Sequence, residues 1–199
     1  PVLRQAVEAA DDDVDELHEA IKLYLTRLMH DELNDEDSKR AVDIITYTIN
    51  LEHVGDIIDK NLMELAGKKR RLMLQFSEQG LADIRTMHAR VMDTLHLSLN
   101  VFMSGGPDSA RSLIARKTDL RQMEMEATEK HLERLKSGQP ESIMSSAIHL
   151  DVIRDFKRIN SHLTSIAYPV LDRAGELRQT RLKKKSVRQI VPLTSEPSD

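Results

Sequence analysis

The sequence has no cysteine and no tryptophan. The first absence excludes a disulfide framework and thiolate metal sites. No apolar run approaches the roughly 20 residues that span a bilayer, and no secretory signal opens the chain. Glycine (7), proline (6) and aromatic residues (3%) are scarce in its 199 positions. With abundant Leu, Met, Ala, Glu, Lys and Arg, this composition argues for an all-α chain. A Gly-rich phosphate loop, a nucleotide fingerprint and a nucleophile–base arrangement are also missing, so an enzyme is the least supported class. The chain starts at Pro1 rather than Met, and we expect a piece of a longer protein in which a transmembrane part is not excluded.

The net charge of −4 hides an asymmetry: residues 1–37 hold twelve acids and three bases, residues 176–199 six bases and three acids. The basic "RLKKKSVR" lacks interleaved aromatics, which lowers a nucleic-acid reading. Contact with anionic lipid is the alternative it offers.

Apolar spacing predicts long helices. Leu3, Val7, Ala10, Val14, Leu17, Ile21, Tyr24 and Leu28 alternate four and three residues apart, a seam suited to lengthwise helix packing. "DELNDED" interrupts it, with Asn34 or Asp35 as the next cap. A second helix over about 36–72 carries the stripe Ile44, Tyr47, Leu51, Val54, Ile58, Leu62 and Leu65, and at 1.5 Å per residue is a rod of roughly 55 Å. Ser77 caps a third helix that stops at Gly105-Gly106, with Phe76 placed to pack on Leu81. Pro107 opens a fourth and Pro140 a fifth, which Pro169 kinks or stops near Tyr168. After Gly175 the periodicity is lost, and a mobile tail is expected.

A shift of 99 residues aligns "IITYTINLEHVGDIIDKN" with "IMSSAIHLDVIRDFKRIN". Two amphipathic helices matched by composition alone would share the apolar stripe. Here Asp56 also falls on Asp155, Asn61 on Asn160 and Glu52 on Asp151, which reads as duplication of a helical unit. The expected organisation is a first repeat over 1–75 with two helices, a second over 76–175 with three, and a basic then polar tail over 176–199. The opening helix of the first repeat lies upstream or is absent.

Glu52, Asp56 and Asp59 stack on one helix face, where like charges repel. A shared cation offsets that repulsion, and carboxylates one turn apart serve hard cations in helical bundles. Without Cys or an H-E-x-x-H motif, oxygen-rich sites for iron, manganese or magnesium fit better than tetrahedral zinc. The competing reading pairs Asp56 with Lys60 and Asp155 with Arg158 as surface ion pairs of little energetic consequence. His162 extends the Asp151–Asp155 face by a turn, as ligand or as interfacial histidine. Arg158 stands where the first copy has Asp59, so the two faces are not chemically equal. His53 and His149 are expected to project away from the neighbouring acids, and His88 to sit at the core edge. Glu8, Asp12 and Asp15 are candidates for the same cation site, with a solvated acidic face as the default.

"INLEHVGDIIDKNLMELA" and "HLDVIRDFKRINSHLTSIAYPVL" resemble the two signature helices of the PhoU-like family, which carry Glu/Asp-x-x-x-Asp once per three-helix repeat. With "VDELHEAIKLYLTRL" and "VFMSGG", residues 1–173 look like the PhoU-like cytoplasmic region that follows the transmembrane part of bacterial sodium/phosphate cotransporters. The resemblance implies elongated up-down bundles in tandem three-helix repeats, the first lacking its opening helix. It implies multinuclear metal centres at Glu52 and Asp56 and at Asp151 and Asp155, holding iron, with manganese, magnesium or zinc as alternatives. It also implies a non-catalytic module at the cytoplasmic face of the inner membrane that modulates sodium-dependent phosphate transport. Its partners would be the transmembrane part of the same transporter, a neighbouring phosphate transporter, or a second copy filling the groove left by the missing helix. The alternative is a free-standing PhoU-type regulator acting on a separate transporter or sensor kinase. The second motif begins with Asp rather than Glu, a shorter reach, and Arg158 beside it puts full metal occupancy there in question.

Overall fold

In the computed structural model, residues 2–30 and 33–177 are described, and they form helices with no strand among them. The expected tail falls outside this range from residue 178 onward. The helices are α1 (Val2–Leu28), α2 (Asp35–Asp56), a π turn (Ile57–Leu62), α3 (Met63–Arg71), α4 (Glu78–Ser104), α5 (Pro107–Lys136), α6 (Pro140–Leu163), a 3₁₀ turn (Thr164–Ile166) and α7 (Ala167–Arg173). Starts and stops follow local chemistry. Asn34 accepts from the Asp37 N–H and Ser77 from the Gly80 N–H, each satisfying a backbone donor that has no helical partner. Gly105, at φ 63°, closes α4 in the left-handed conformation that glycine adopts without steric cost.

Helices α4, α5 and α6 pack on one another, and the α2–π–α3 rod lies along α6. Their core holds Met87, Val91, Leu120, Ile153, Phe156 and Leu163, and Ile57 of the π turn enters it. Further along, Tyr47 joins Val101, Leu113, Ile166 and Val170, its hydroxyl 2.8 Å from Ser98 Oγ. The rod thus completes a four-helix core.

Helix α1 packs on α2 and the π turn. Of its expected seam, Val7, Val14, Ile21 and Leu28 are half-buried, while Leu3, Ala10, Leu17 and Tyr24 are exposed. One neighbour covers one flank of a seam, so alternate members are left in solvent. Two more expectations are corrected. Ile57 rather than Ile58 is buried, Ile58 being 38% exposed, where the wide turn resets the register. Pro169 does not end the helix. The irregularity falls one turn earlier, in the 3₁₀ turn containing Ser165, whose carbonyl the Pro169 ring would otherwise meet.

Candidate cation centre

The first acidic motif sits on α2 immediately before the π turn. Glu52 and Asp56 are one helical turn apart, and their side chains are 19% and 33% exposed. His53 was expected to face elsewhere. Instead its Nδ1 lies 2.7 Å from Glu52 Oε2, and Glu52, His53 and Asp56 each bring one donor atom to within 4.8 Å of the others. A flexible bond pair between backbone and ring lets an adjacent residue reach back over the helix surface, which face counting on Cα positions misses.

Opposite, α6 supplies His162. Its ring meets that of His53 edge-on at 5.2 Å, and its Nδ1 lies 2.9 Å from Asn50 Oδ1. Donation to Asn50 leaves the other ring nitrogen with a lone pair. Burial, then His53 and Arg158, push the His162 pKa below its usual value, with Glu52 opposing. A cavity of about 270 Å³ lies between the elements, lined by His53, Asp56, Lys60, Asn61, Arg158 and His162 among others.

The second motif belongs to the same seam. A neighbouring cavity of about 280 Å³ is lined by Asp151, Asp155, Arg154, Lys68 and Glu64, and shares Asn61 and Arg158 with the first. Asp155 is buried and accepts from Arg158 at 2.8 Å and from Asn61 Nδ2 at 3.4 Å. Asp151 accepts from Arg154 at 2.5 Å. Both carboxylates of this motif are therefore matched by guanidinium groups. In the first, Asp56 is paired with Lys60, whose side chain is 60% exposed, while Glu52 meets no Lys or Arg among the described residues.

The two motifs differ as cation sites. Two carboxylates and an imidazole suit first-row divalent ions, and an exposed ammonium on a flexible stem is displaced more readily than a guanidinium on a buried carboxylate. The Glu52–His53–Asp56 set fits a metal. At Asp151 and Asp155 a metal must first displace two arginines.

Helix α1 packs against the rod at Gly55, where an added Cβ would lie 2.6 Å from Asp11 Oδ1. Asp11, rather than Asp12, is the α1 acid that meets the rod there. Its buried Oδ1 has no hydrogen-bond partner. Burial, then Asp15 and Asp59, raise its pKa above the ordinary value. Glu8 is held by Arg4 at 2.8 Å. The signal for this contact was in the sequence: a glycine inside a helical pattern marks close backbone approach. His88 is exposed, its ring 6.0 Å from Phe156.

His149 lies elsewhere, in a buried polar group at the α4–α6 start. It stacks on His131 at 4.7 Å and lies 3.2 Å from the Gly80 carbonyl. Arg134 reaches Asp83 at 3.2 Å beside them.

The fold and paired acidic motifs define a class. A PhoU domain model matches residues 2–64 and 84–170, and the chain belongs to that family. Among its relatives is "Putative inorganic phosphate export protein YjbB" of Salmonella typhimurium, 38% identical over 176 residues, which are 88% of this chain and 32% of that protein. The protein of the same name from Escherichia coli K12 is 36% identical over 165 residues, covering 83% of this chain and 30% of that one. The chain thus spans about a third of the length of these relatives. The crystal structure of PhoU from Pseudomonas aeruginosa superposes with a TM-score of 0.77 at 20% identity, over 88% of this chain and 82% of that one, a likeness of fold. No helix of the described residues is long and apolar enough to cross a membrane.

Proposed function

We propose that this chain is a non-catalytic PhoU-type module that regulates phosphate passage across a membrane and takes a divalent cation at Glu52, His53 and Asp56. The observation that carries the reading is the convergence of these three donors beside a polar cavity roofed by α6. A cation there would neutralise the stacked carboxylates and displace Lys60, so that its binding couples to the α2–α6 seam. Asp151 and Asp155 would join only after Arg154 and Arg158 swing away. Iron suits the mixed oxygen and nitrogen donors, with manganese, magnesium and zinc as competitors.

Phosphate as the transported species is supported by the family match and by the relatives' printed names. Those names speak of export and give no support to sodium-coupled import. A PhoU-type regulator acting on a separate transporter or kinase therefore draws more support than a cotransporter domain at the cytoplasmic membrane face. Phosphate flux in cells lacking the gene for this chain, complemented with wild type or with the Glu52→Ala/Asp56→Ala double variant, tests the reading. Wild type should restore the flux and the double variant should not. Identical flux in all three strains would remove the proposal, and a chain-dependent flux abolished by replacing sodium with potassium would restore the cotransporter arrangement.

A further inference from the structure

The end of α3 has a composition that the core does not account for and that the cation seam accounts for only at Lys68, which lines its second cavity. Lys68, Lys69, Arg70 and Arg71 are consecutive, and among the described residues none of them is paired with a carboxylate. Three are exposed and Lys69 half-buried. They are followed by Leu72 and Met73, which are 54% and 85% exposed. Met73 has φ 50°. The Leu74 N–H bonds to the Lys69 carbonyl at 3.0 Å, so the helix closes with a left-handed residue, the position glycine fills at least cost. Here that place goes to a large apolar side chain held out in solvent, while Leu74 beside it is buried.

The start of α1 lies at the same tip. Leu3, Met63 and Ala66 wall an apolar groove of about 510 Å³, rimmed by Arg4, Arg70 and Arg71. Bases beside projecting aliphatic groups match the two layers of an anionic membrane surface, phosphate outside and hydrocarbon beneath. An acidic protein partner would use the charges but would leave Leu72 and Met73 without a matching layer.

We propose that this tip docks on an anionic lipid bilayer, its exposed bases Lys68, Arg70 and Arg71 meeting headgroup phosphates while Leu72 and Met73 enter the interfacial layer; Lys69 lies over the Phe76 ring instead. In a chain of net charge −4, such a patch orients the molecule as well as attracting it, since the acid-rich first helix is repelled. The inference does not depend on metal at the seam.

The test is co-sedimentation of the full chain with phosphatidylcholine vesicles, with and without phosphatidylglycerol, and with a Leu72→Trp reporter made unambiguous by the absence of native tryptophan. The expected result is binding that requires phosphatidylglycerol, weakens with salt and shifts the reporter emission to the blue. Lys68→Glu/Arg70→Glu/Arg71→Glu should weaken it more than tenfold, with unchanged helicity by circular dichroism because these side chains are exposed. A control triple, Lys183→Glu/Lys184→Glu/Lys185→Glu, separates this tip from the basic C-terminal stretch and should retain most binding. Failure of wild type to bind the anionic vesicles, equal binding by the α3 triple, or loss caused by the control triple alone would each overturn the proposal.

Discussion

Lys60 is the residue on which the first motif turns. Its ammonium pairs with Asp56, so it competes with any cation the site takes. Lys60→Met should therefore tighten divalent-ion binding severalfold in a calorimetric titration, and unchanged affinity would mean the ion binds elsewhere. Asp11 makes the opposite argument. A buried carboxylate oxygen without a donor costs about 1–3 kcal/mol, and Asp15, Asp56 and Asp59 add repulsion. An acid whose folded pKa is raised loses stability as pH rises through the ordinary carboxylate range. Asp11→Asn should stabilise the protein by roughly 1 kcal/mol at pH 7 and lose that advantage at pH 3, read by thermal unfolding. Legibility at this scale was uneven. Glu52, Asp56, Asp151 and Asp155 stood out because carboxylates recur at helical spacing. His53 did not, because its contribution depends on a side-chain rotation rather than on sequence position.

Helix by helix, the apolar period and its interruptions foretold most boundaries: Asn34, Ser77, Gly105 and the two helix-opening prolines all act as their chemistry demands. The π turn at Ile57–Leu62 was not legible, since no residue type demands it. It touches both α1 and α6, and such turns recur at functional sites. The left-handed Met73 was equally invisible. Met73→Gly should relieve its conformational cost and stabilise α3 by roughly 1 kcal/mol, a gain that chemical denaturation can measure and whose absence would contradict the strained geometry. Where α4, α5 and α6 meet, burial lowers the pKa values of His131 and His149, the latter to about 4, with His131 and then Arg134 adding repulsion at His149, Arg134 alone at His131, and Asp83 opposing at both. Native rings that bind fewer protons than unfolded ones contribute full stability above pH 6.5, and lose it as the pH falls toward 4. For His149 the loss amounts to about 3 kcal/mol. The melting temperature of wild type should drop more steeply across that window than that of His149→Gln, and parallel profiles would contradict the buried neutral pair.

For the molecule as a whole, the 99-residue offset relates two motifs that are alike in sequence and unequal in their partners. The offset that superposes the two sequences also places them along one seam between α2–α3 and α6, with Asn61 and Arg158 shared. Divergence at a single position, Asp59 against Arg158, supplies the guanidinium that now holds Asp155. The seam therefore has one half in which Glu52 meets no Lys or Arg among the described residues and one half closed by arginine, an arrangement that suits the proposed regulator if cation binding at the first motif releases the second. Elemental analysis of the full chain purified without chelator, beside Glu52→Ala/Asp56→Ala and Asp151→Ala/Asp155→Ala, tests this most directly. Bound metal in wild type, most of it lost in the first double variant and less in the second, is the predicted result. Equal metal content in all three proteins would contradict it.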